Sequence, residues 1–519
     1  MPHLALPTLS AFLRSQGVEV VQRDLNLEVF DAMLTASHLN RVVTHLRESP
    51  PPSLSREARR RALDAAPRLV DRVESAKAVM RGPRFYDGRT GRRAFFTLVE
   101  SLEFASLPFH PASLQLTQFT PAAPVDSSRS LLRAVRNPRS NPFLDLFRRI
   151  ALPEIVAEEP DIVGISIPTL RQMLAGLTLG HLIKQAGLPC HVTLGGPHIS
   201  MLREQLPQTP DLFDCFDSAV VFSGETALLR LAEALAGDKA LDSVPNLIYR
   251  EEGHGDARVR TTPVEWSPYP DLTPDFDGLP LDRYLTPHPV LPLLSAHGCY
   301  HGKCAFCNVG YGGGNRFRPV DPERVVAQMR TLHERYGARH FFFADEAMTP
   351  RNLRVMAERL ADVQPALHWC GCVRFEPTLT GELLATMAEG GCRMLLFGLE
   401  SAAPSTIERM HKGTDVDTIS RILHDSVEAG IWNHAFFFFG FPGETMDAAQ
   451  ETVNFVYAHK DAIHSASPGA FLLERYSPAH QDPASYGITR IVENPDRDLA
   501  IYFDYEVAAG LNESMADTL

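Results

Sequence analysis

Three cysteines within nine residues, Cys299, Cys304 and Cys307, are the densest group of metal-binding side chains in the sequence. Gly298 and Gly302 lie among them and loosen the backbone. Thiolates this close together can converge on one metal centre, whereas a disulfide would use two of them and leave the third idle. The spacing therefore indicates a metal site.

The number of cysteines leaves two kinds of metal centre open. A cubane iron–sulfur cluster usually takes four cysteines, so three local ones would leave one iron open for another ligand. A structural zinc site would recruit a fourth protein ligand instead, for which His297 and His301 are candidates.

Polar and charged side chains recur where the predicted strands after the cysteines end. They are Asp345, Glu346, Arg374, Glu400, Ser401 and the pair Phe439-Gly440. Carboxylates suit an ammonium or hydroxyl groups, and a guanidinium suits a carboxylate. Each residue alone is ordinary at a helix cap or turn, but together they favour a ligand site at one edge of a sheet.

The elements that must position these residues alternate between strands and helices. Strands are predicted at 291–296, 340–344, 367–373, 393–397, 434–439 and 470–473, and helices near 321–336, 350–361, 379–389, 415–429 and 446–459. Six β/α units in parallel order predict an α/β fold, an open and partial (β/α)6 barrel over 291–475. Function in such folds belongs at the carboxyl ends of the strands.

From the cysteines onward the sequence resembles the radical SAM superfamily. The resemblance rests on Cys304-Ala-Phe-Cys307, Gly398-Leu-Glu-Ser401 and Gly440-Phe-Pro-Gly-Glu444. The chain departs from the commonest family pattern in having four residues, not three, between the first two cysteines. The resemblance implies a [4Fe-4S] cluster on Cys299, Cys304 and Cys307 that binds S-adenosyl-L-methionine (SAM) at its open iron.

The same resemblance implies which side chains contact SAM. Asp345 and Glu346 would meet its ammonium, Glu400 and Ser401 its ribose or carboxylate, and Phe439-Gly440 its adenine; Phe306 and Arg374 complete the expected set. Arg374 has two interpretations, a partner of the SAM carboxylate or a salt bridge behind the site.

Residues 1–250 show a second pattern, which predicts a doubly wound sheet. Strands are predicted at 161–166, 191–194 and 219–222, and ligands of such sheets bind beyond the carboxyl ends of the strands. This segment resembles the flavodoxin-like cobalamin-binding domain of B12-dependent radical SAM enzymes. The resemblance implies that cobalamin contacts Ser166, Thr169, Gly195, Gly196, Gly224 and Glu225.

Two features of the N-terminal segment differ from cobalamin-binding relatives. A helix over 6–15 and a strand over Val18–Val21 are predicted without a strand before them. The domain is therefore expected to lack its first strand, and the chain is expected to start late or to be a fragment. Asp24-Leu25-Asn26 stands where other cobalamin proteins carry Asp-x-His-x-x-Gly, so the resemblance implies cobalamin without a histidine ligand from that motif.

The remaining segments complete the predicted domain organisation. A largely helical insertion is expected at about 27–153, an interdomain linker rich in Pro, Asp and Gly at 251–290, and a C-terminal tail at 476–519. Cys370 and Cys372 face the same side of one predicted strand and are interpreted as packed thiols, since no cysteine follows Cys392 to complete an auxiliary cluster.

Composition limits the classes of partner. The 519 residues carry a formal charge of −13, which disfavours a nucleic-acid-coating protein. No apolar run of about 18 residues appears, so no membrane association is expected. The cysteines outside the cluster motif are scattered, as in reduced intracellular proteins, and a cytoplasmic location is predicted.

The resemblance implies C-methylation of an unactivated carbon in a small-molecule or peptide natural product. An electron donor such as flavodoxin or ferredoxin would reduce the cluster. Alternatives are a cobalamin-dependent radical SAM enzyme that rearranges or cyclises without methylation, and, from another class, a non-catalytic cobalamin or metal sensor. The sequence does not identify the substrate.

Overall fold

The computed structural model describes residues 1–237, 239–251, 258–266, 271–516 and 518. The chain forms two compact units. The first comprises Met1–Pro287 and Asn494–Ala500, and the second comprises His288–Glu493 and Ile501–Leu519. Parts of the predicted linker, 252–257 and 267–270, lie outside the described residues.

The first unit contains a five-stranded sheet. Its strands follow the order β3 (Ile162–Ser166), β4 (His191–Gly195), β5 (Ser218–Val220), β6 (Leu247–Glu251) and β7 (Arg258–Thr261). The first three are parallel, as predicted, whereas β6 and β7 add an antiparallel hairpin. β7 lies within the predicted linker. The flavodoxin-like strand order stays a prediction, and β3 is an edge strand that is half-buried rather than fully buried.

Helices make up most of the first unit, including the predicted insertion. They are α1 (Ala5–Ser15), α2 (Leu25–Met33), α3 (Ala36–Glu48), α4 (Arg56–Met80), α5 (Gly88–Ser106), α6 (Ser128–Val135), α7 (Phe143–Ile150), α8 (Leu152–Glu158), α9 (Met173–Gln185), α10 (Pro197–Met201) and α11 (Glu225–Leu235). A two-stranded hairpin, β1 (Ser113–Leu114) and β2 (Phe119–Thr120), lies between α5 and α6.

The strand predicted at Val18–Val21 is wrong. These residues are extended coil, because a strand needs a hydrogen-bonded neighbour and no described strand pairs with them. Side chains satisfy part of this backbone instead: Arg14 donates to the Val20 carbonyl at 2.7 Å. The helix before it is confirmed, and Gly17 ends it with φ +81°.

The second unit is built on six parallel strands arranged in sequence order. They are β8 (Val290–Leu293), β11 (His340–Phe343), β12 (His368–Val373), β13 (Cys392–Glu400), β14 (Trp432–Phe439) and β15 (Ser465–Ala470). A short pair, β9 (Ala296–His297) with β10 (Arg318–Pro319), flanks the cysteine loop. The parallel sheet is therefore confirmed, while its closure into a partial barrel stays a prediction.

Helices connect these strands, and all of them except the short helix at 404–409 lie at predicted positions. They are α12 (Pro322–Tyr336), α13 (Pro350–Leu360), α14 (Gly381–Glu389), α15 (Pro404–Arg409), α16 (Val416–Glu428) and α17 (Met446–Ala458). Caps encoded in the sequence set several of the bounds. Asp321 accepts from the amide of Glu323 at the start of α12, and Gly337 ends that helix at φ +66°.

The sixth strand was predicted at 470–473 but lies at Ser465–Ala470. Pro468 and Gly469 argued against a strand at this position in the sequence, because both residues are unfavourable in a strand interior. The structure tolerates them because β15 is the edge strand of the sheet, paired only with β14 among the described strands.

The predicted tail, 476–519, is divided between the two units, since 494–500 belongs to the first. In the rest, β17 (Ile488–Val492) and β18 (Tyr502–Val507) form an antiparallel sheet with β16 (Leu473–Glu474), which precedes the predicted tail, in the order β16, β18, β17. Two short helices, α18 (Pro478–Gln481) and α19 (Glu513–Ala516), complete it. The short 3-10 helices of the chain are Pro83–Tyr86, Leu107–Phe109, Leu170–Gln172, Leu206–Gln208, Pro210–Asp214, Leu241–Ser243, Leu281–Arg283 and Pro483–Tyr486.

In the described part of the chain, every helix is too short or too polar to cross a membrane.

Candidate functional site

The second half of the cysteine loop is a tight turn held from both sides. The Cys307 amide donates to the Cys304 carbonyl at 3.2 Å. Between them, Ala305 is fully buried and its amide donates to the Met410 carbonyl, while its own carbonyl accepts from Ala479. Ala305 packs in an apolar core with Met410, Phe441, Phe471, Leu473, Ala479 and Ile488. The turn is thus supported by chain segments more than 100 residues away, including the predicted tail.

The first half of the loop closes around one side chain. Asn315 Oδ1 accepts from the Cys299 amide at 3.1 Å, and Asn315 Nδ2 donates to the Cys299 carbonyl at 2.6 Å. Gly302 has φ +58°, and a Cβ there would lie 2.1 Å from Asn315 Nδ2. The glycine and Asn315 together accommodate the four-residue spacing between Cys299 and Cys304.

The arrangement of the side chains bears on the choice between a zinc ion and an iron–sulfur cluster. Among the described residues, no three His, Cys, Asp or Glu side chains converge on the position of one metal ion. A cubane cluster needs a wider arrangement, because each cysteine binds a different iron. Burial raises the pKa of the Cys304 and Cys307 thiols, so a metal centre must supply the energy that deprotonates them.

Arg374, at the end of β12, faces the cysteine loop. Its Nη1 lies 3.7 Å from Cys304 Sγ, its Nε donates to Glu376 at 3.0 Å, and its Nη2 donates to the Lys412 carbonyl. The side chain is only 5% exposed. All three nitrogens therefore already have protein partners, which favours the salt-bridge interpretation of Arg374 over a SAM contact.

The adjacent acids Asp345 and Glu346 differ in their surroundings. Asp345 is buried and accepts from the Ser295 amide at 2.9 Å and the Ser295 hydroxyl at 2.7 Å. Burial raises the pKa of Asp345 to about 6. This carboxyl ties β11 to the segment that leads into the cysteine loop, so its oxygens are already used by the protein.

Glu346 is exposed, yet the surrounding protein partly desolvates its carboxyl and raises its pKa. Its charge acts on Cys307 and on Glu474, a half-buried acid that the sequence analysis did not single out. Burial and the charge of Glu346 raise the pKa of Glu474 to about 7. Glu474 lies on the two-residue strand β16, too short for any pattern to reveal it.

Glu400 ends β13 at a bulge with φ +60° and forms an ion pair with Lys412 at 2.9 Å. The Lys412 ammonium also lies 5.7 Å from the ring centroid of Phe306, whose ring packs edge-on against Phe438. Lys412 is therefore a second site residue that the strand-end search missed. The string Lys412-Gly413, which belongs to the resemblance to the radical SAM superfamily, was its signal in the sequence.

Ser401 is hydrogen-bonded inside the protein. It is fully buried, its hydroxyl lies 3.1 Å from Thr452 Oγ1, and it accepts from the Ala403 amide. The ribose or carboxylate contact expected of Ser401 is therefore not supported by its position, because both hydrogen-bonding directions of the hydroxyl are used inside the protein.

The end of β14 adopts a turn around Glu444. The Gly440 amide donates to Glu444 Oε2 at 2.6 Å, and the Gly440 carbonyl accepts from the Tyr505 hydroxyl at 3.3 Å. Gly440 has φ +84°, and Phe439 next to it is buried. The strand end expected beside adenine is thus shaped by a buried acid and covered by residues of the predicted tail.

Cys370 and Cys372 share one face of β12, opposite the buried Trp369 and Val373. Burial raises the pKa of Cys370 to about 11 and that of Cys372 to about 12, so both remain thiols. All eight cysteines of the chain are free.

In the first unit, the predicted cobalamin residues lie at the carboxyl ends of β3, β4 and β5. The strand register pairs Ser166 with Gly195, and the Ser166 hydroxyl is buried without a hydrogen-bond partner among the described residues. Gly196 has φ +105°, and a Cβ there would lie 2.7 Å from the Ile167 carbonyl oxygen. The small residues and the unsatisfied hydroxyl fit a ligand that approaches this edge closely.

The other predicted cobalamin residues differ from one another in exposure and packing. Thr169 is exposed, and its hydroxyl donates to Gln172 at 3.3 Å. Glu225 begins α11 with a pKa raised by burial. Gly224 packs beneath α1, where a Cβ would lie 3.2 Å from Leu9 Cδ2, so helix packing by itself accounts for this glycine.

His198 is a residue at this edge that the sequence analysis did not select. It is 1% exposed, and both ring nitrogens lack hydrogen-bond partners among the described residues. Burial lowers its pKa to about 4, so the ring is neutral. Its position directly after Gly196-Pro197 was the available signal.

Asp24, which stands where other cobalamin proteins carry Asp-x-His-x-x-Gly, caps α2 and accepts from the Tyr284 hydroxyl at 2.6 Å.

Comparison with known proteins connects this arrangement to a family. Residues 293–456 match the model of the Radical SAM superfamily. Over 308 residues the chain is 29% identical to an uncharacterized methyltransferase of Pyrococcus horikoshii, an alignment that covers 57% of this chain and 64% of that protein. The chain thus spans less than two thirds of that relative.

Two solved structures share the fold. The cobalamin-dependent SAM radical enzyme OxsB, with aqua-cobalamin and SAM bound, aligns with a TM-score of 0.55 and 17% identity over 71% of this chain and 58% of that chain. The radical SAM methyltransferase TsrM from Kitasatospora setae, with cobalamin and a [4Fe-4S] cluster bound, aligns with a TM-score of 0.51 and 20% identity over 64% and 69% of the two chains. The segment that carries the cysteine loop therefore matches the Radical SAM superfamily, and the chain shares its fold with OxsB and TsrM.

Proposed function

We propose that the chain is a cobalamin-dependent radical SAM methyltransferase that methylates an unactivated carbon of a small-molecule or peptide substrate. The observation that carries the proposal is that the segment matching the Radical SAM superfamily contains the cysteine loop and that the charges of Glu346 and Glu474 act on Cys307 in that loop. Neither acid forms an ion pair within the described residues. A cationic ligand next to the cluster cysteines would balance their charge, and SAM carries both a sulfonium and an ammonium.

The protein residues have distinct roles in this proposal. Cys299, Cys304 and Cys307 hold the cluster, and Glu346 with Glu474 accepts hydrogen bonds from the SAM ammonium. The second oxygen of Glu400 is an acceptor for a ribose hydroxyl, since Lys412 occupies the first. When bound, the cluster, SAM and cobalamin supply the radical and methyl-transfer chemistry, while the protein binds and orients them.

In the first unit, Ser166, Gly195 and Gly196 are the residues proposed to contact cobalamin, with Thr169, Gly224 and Glu225 around them. The fold shared with OxsB and TsrM supports this placement. A flavodoxin or ferredoxin is the proposed reductant. The proposed location is the cytoplasm, where free thiols persist.

Anaerobic reconstitution with iron, sulfide and cobalamin tests the proposal. The protein should bind close to four irons and one cobalt, and with a reductant it should convert SAM to S-adenosylhomocysteine as reduced cobalamin is methylated. Cys304→Ala should lose the cluster, whereas Cys190→Ala, a buried cysteine of the first unit, should retain it. Stoichiometric zinc with no iron would contradict the proposal.

A second candidate is a non-methylating cobalamin-dependent radical SAM enzyme. OxsB, described as a radical enzyme and not as a methyltransferase, supports it. Products separate the two: methylation yields S-adenosylhomocysteine and 5′-deoxyadenosine together, whereas the second candidate yields 5′-deoxyadenosine alone. A protein that binds both cofactors but does not cleave SAM under reduction would indicate a sensor.

A further inference from the structure

Arg374 is joined to the cysteine loop at two points. Its Nη1 lies 3.7 Å from Cys304 Sγ, and through Glu376 it is connected to the other half of the loop. Glu376 Oε1 accepts both from Arg374 Nε at 3.0 Å and from the Tyr300 hydroxyl at 3.1 Å. Tyr300 directly follows Cys299. One guanidinium therefore links the segments that carry two of the three cysteines.

A third hydrogen bond also holds the Arg374 guanidinium in place. Arg374 Nη2 donates to the Lys412 carbonyl. A Cβ at the adjacent Gly413 would lie 3.1 Å from His301 Cε1, so the glycine leaves room for that ring. His301 also belongs to the loop and lies 2.8 Å from the His411 carbonyl. The 411–413 segment thus contacts both the cysteine loop and Arg374.

The charge of this residue is permanent and close to a cluster sulfur. A guanidinium stays protonated in proteins, and Arg374 is 5% exposed, so water screens it weakly. Donors and positive charge beside a cluster thiolate stabilise the additional electron of the reduced cluster. Glu376 carries the opposite charge and partly offsets this effect.

We propose that Arg374 is a positioning residue of the iron–sulfur cluster, which raises the reduction potential of the cluster through Cys304 and holds the loop in place, and that it does not bind SAM. The inference rests on the proposed function, because it requires that the three cysteines hold a cluster. It adds a role that differs from the carboxylate contact implied by family resemblance.

The test measures the cluster itself, without SAM or substrate. Wild type, Arg374→Gln, Arg374→Lys and Glu376→Gln are reconstituted anaerobically, assayed for iron and sulfide, and titrated with a reductant while electron paramagnetic resonance follows the reduced cluster. Arg421→Gln is the matched control, since Arg421 also donates to a carboxylate, that of Asp425, and to a backbone carbonyl, that of Leu379, and these hydrogen bonds involve no sulfur.

We expect the reduction potential of the cluster to shift in opposite directions when Arg374 and Glu376 are replaced. Arg374→Gln should lower the reduced-to-oxidised ratio at a fixed potential by about tenfold, which equals about 59 mV for a one-electron couple. Glu376→Gln should shift the potential in the opposite direction, because it removes the offsetting charge. Arg374→Lys should lie between Arg374→Gln and wild type, and Arg421→Gln should match wild type.

The outcomes separate this inference from the proposed function. If wild type binds no cluster, the proposed function fails. If wild type binds the cluster and both Arg374→Gln and Glu376→Gln leave its potential unchanged, or shift it in the same direction, the role of Arg374 is refuted. If Arg374→Gln does not load a cluster, the other two variants decide: the reduction potential should rise in Glu376→Gln and fall in Arg374→Lys, and any other pattern refutes the role of Arg374. A SAM affinity of Arg374→Gln at least tenfold below that of wild type would also contradict the proposal.

Discussion

Lys412 Nζ lies 2.9 Å from Glu400 Oε1, and the two side chains are 7% and 13% exposed. The pair occupies space that exists only because residue 398 is glycine. A Cβ on Gly398 would lie 2.5 Å from the Glu400 oxygen and 2.8 Å from the Lys412 nitrogen. The Gly-x-Glu string of the sequence thus encodes the room for a lysine 14 residues further along the chain.

Lys412→Met should destabilise the protein by about 3 to 5 kcal/mol, because it leaves the Glu400 carboxylate buried without its partner. Urea unfolding measures the loss. The double variant Glu400→Gln/Lys412→Met should recover much of it. Lys460→Met, which removes an exposed ammonium near Tyr457, is the control. An equal, small effect for Lys412→Met and Lys460→Met would contradict this assignment.

Asp345→Asn and Glu346→Gln should have opposite consequences, although the residues are adjacent. Asp345→Asn replaces an acceptor of the Ser295 donors and should cost about 1 to 3 kcal/mol of unfolding free energy. Glu346→Gln should leave stability unchanged and weaken SAM binding by about tenfold, since it removes a charged acceptor whose field reaches Cys307. Calorimetry with SAM and denaturant unfolding, applied to both variants, provide the comparison. The reverse pattern would place the ammonium contact on Asp345.

Glu444 should make stability depend on pH. Burial raises its pKa from the ordinary value of 4.5 to about 7, so the folded state binds an additional proton between these values. The unfolding free energy should therefore fall as pH rises from 4.5 through 7, by on the order of 3 kcal/mol from this group. Glu444→Gln should remove this component, so wild type should lose stability relative to the variant between pH 5 and pH 8.

Glu358→Gln, at an exposed position of α13, is the control for that measurement and should follow the wild-type pH profile. Parallel profiles for wild type and Glu444→Gln would show that the Glu444 carboxyl titrates near its ordinary value.

Gly195→Ala and Gly196→Ala separate folding from cobalamin binding in the first unit. Gly196→Ala should cost at least about 2 kcal/mol, because the residue has φ +105° and its Cβ would approach the Ile167 carbonyl at 2.7 Å. Gly195→Ala should fold normally, since the nearest atom, the Val220 carbonyl oxygen, is 3.7 Å from the added Cβ. Optical titration should nevertheless show weaker cobalamin binding by Gly195→Ala. Unchanged affinity would remove this strand end from the proposed site.

Much of the fold was predictable because its signals are local. Apolar periodicity, Asp321 as a helix cap and Gly337 as a helix end are encoded within a few residues. Five of the six strands of the parallel sheet in the second unit follow from such patterns. The prediction failed where the environment overrides the pattern. Val18–Val21 has strand-forming residues but no neighbouring strand, and β15 contains Pro468 and Gly469 but lies at a sheet edge.

The sequence by itself determined the cysteine spacing, the order of strands and helices in the second unit, and the strand ends at which its acids lie. The tertiary structure decided which of those side chains remain available to a ligand. Asp345 is used by Ser295, 50 residues before it, whereas Glu346 is exposed beside Glu474, which no pattern predicted. The physical reason is that the hydrogen-bonding capacity of a side chain is used by whichever groups folding brings near it, and those groups are distant in the sequence.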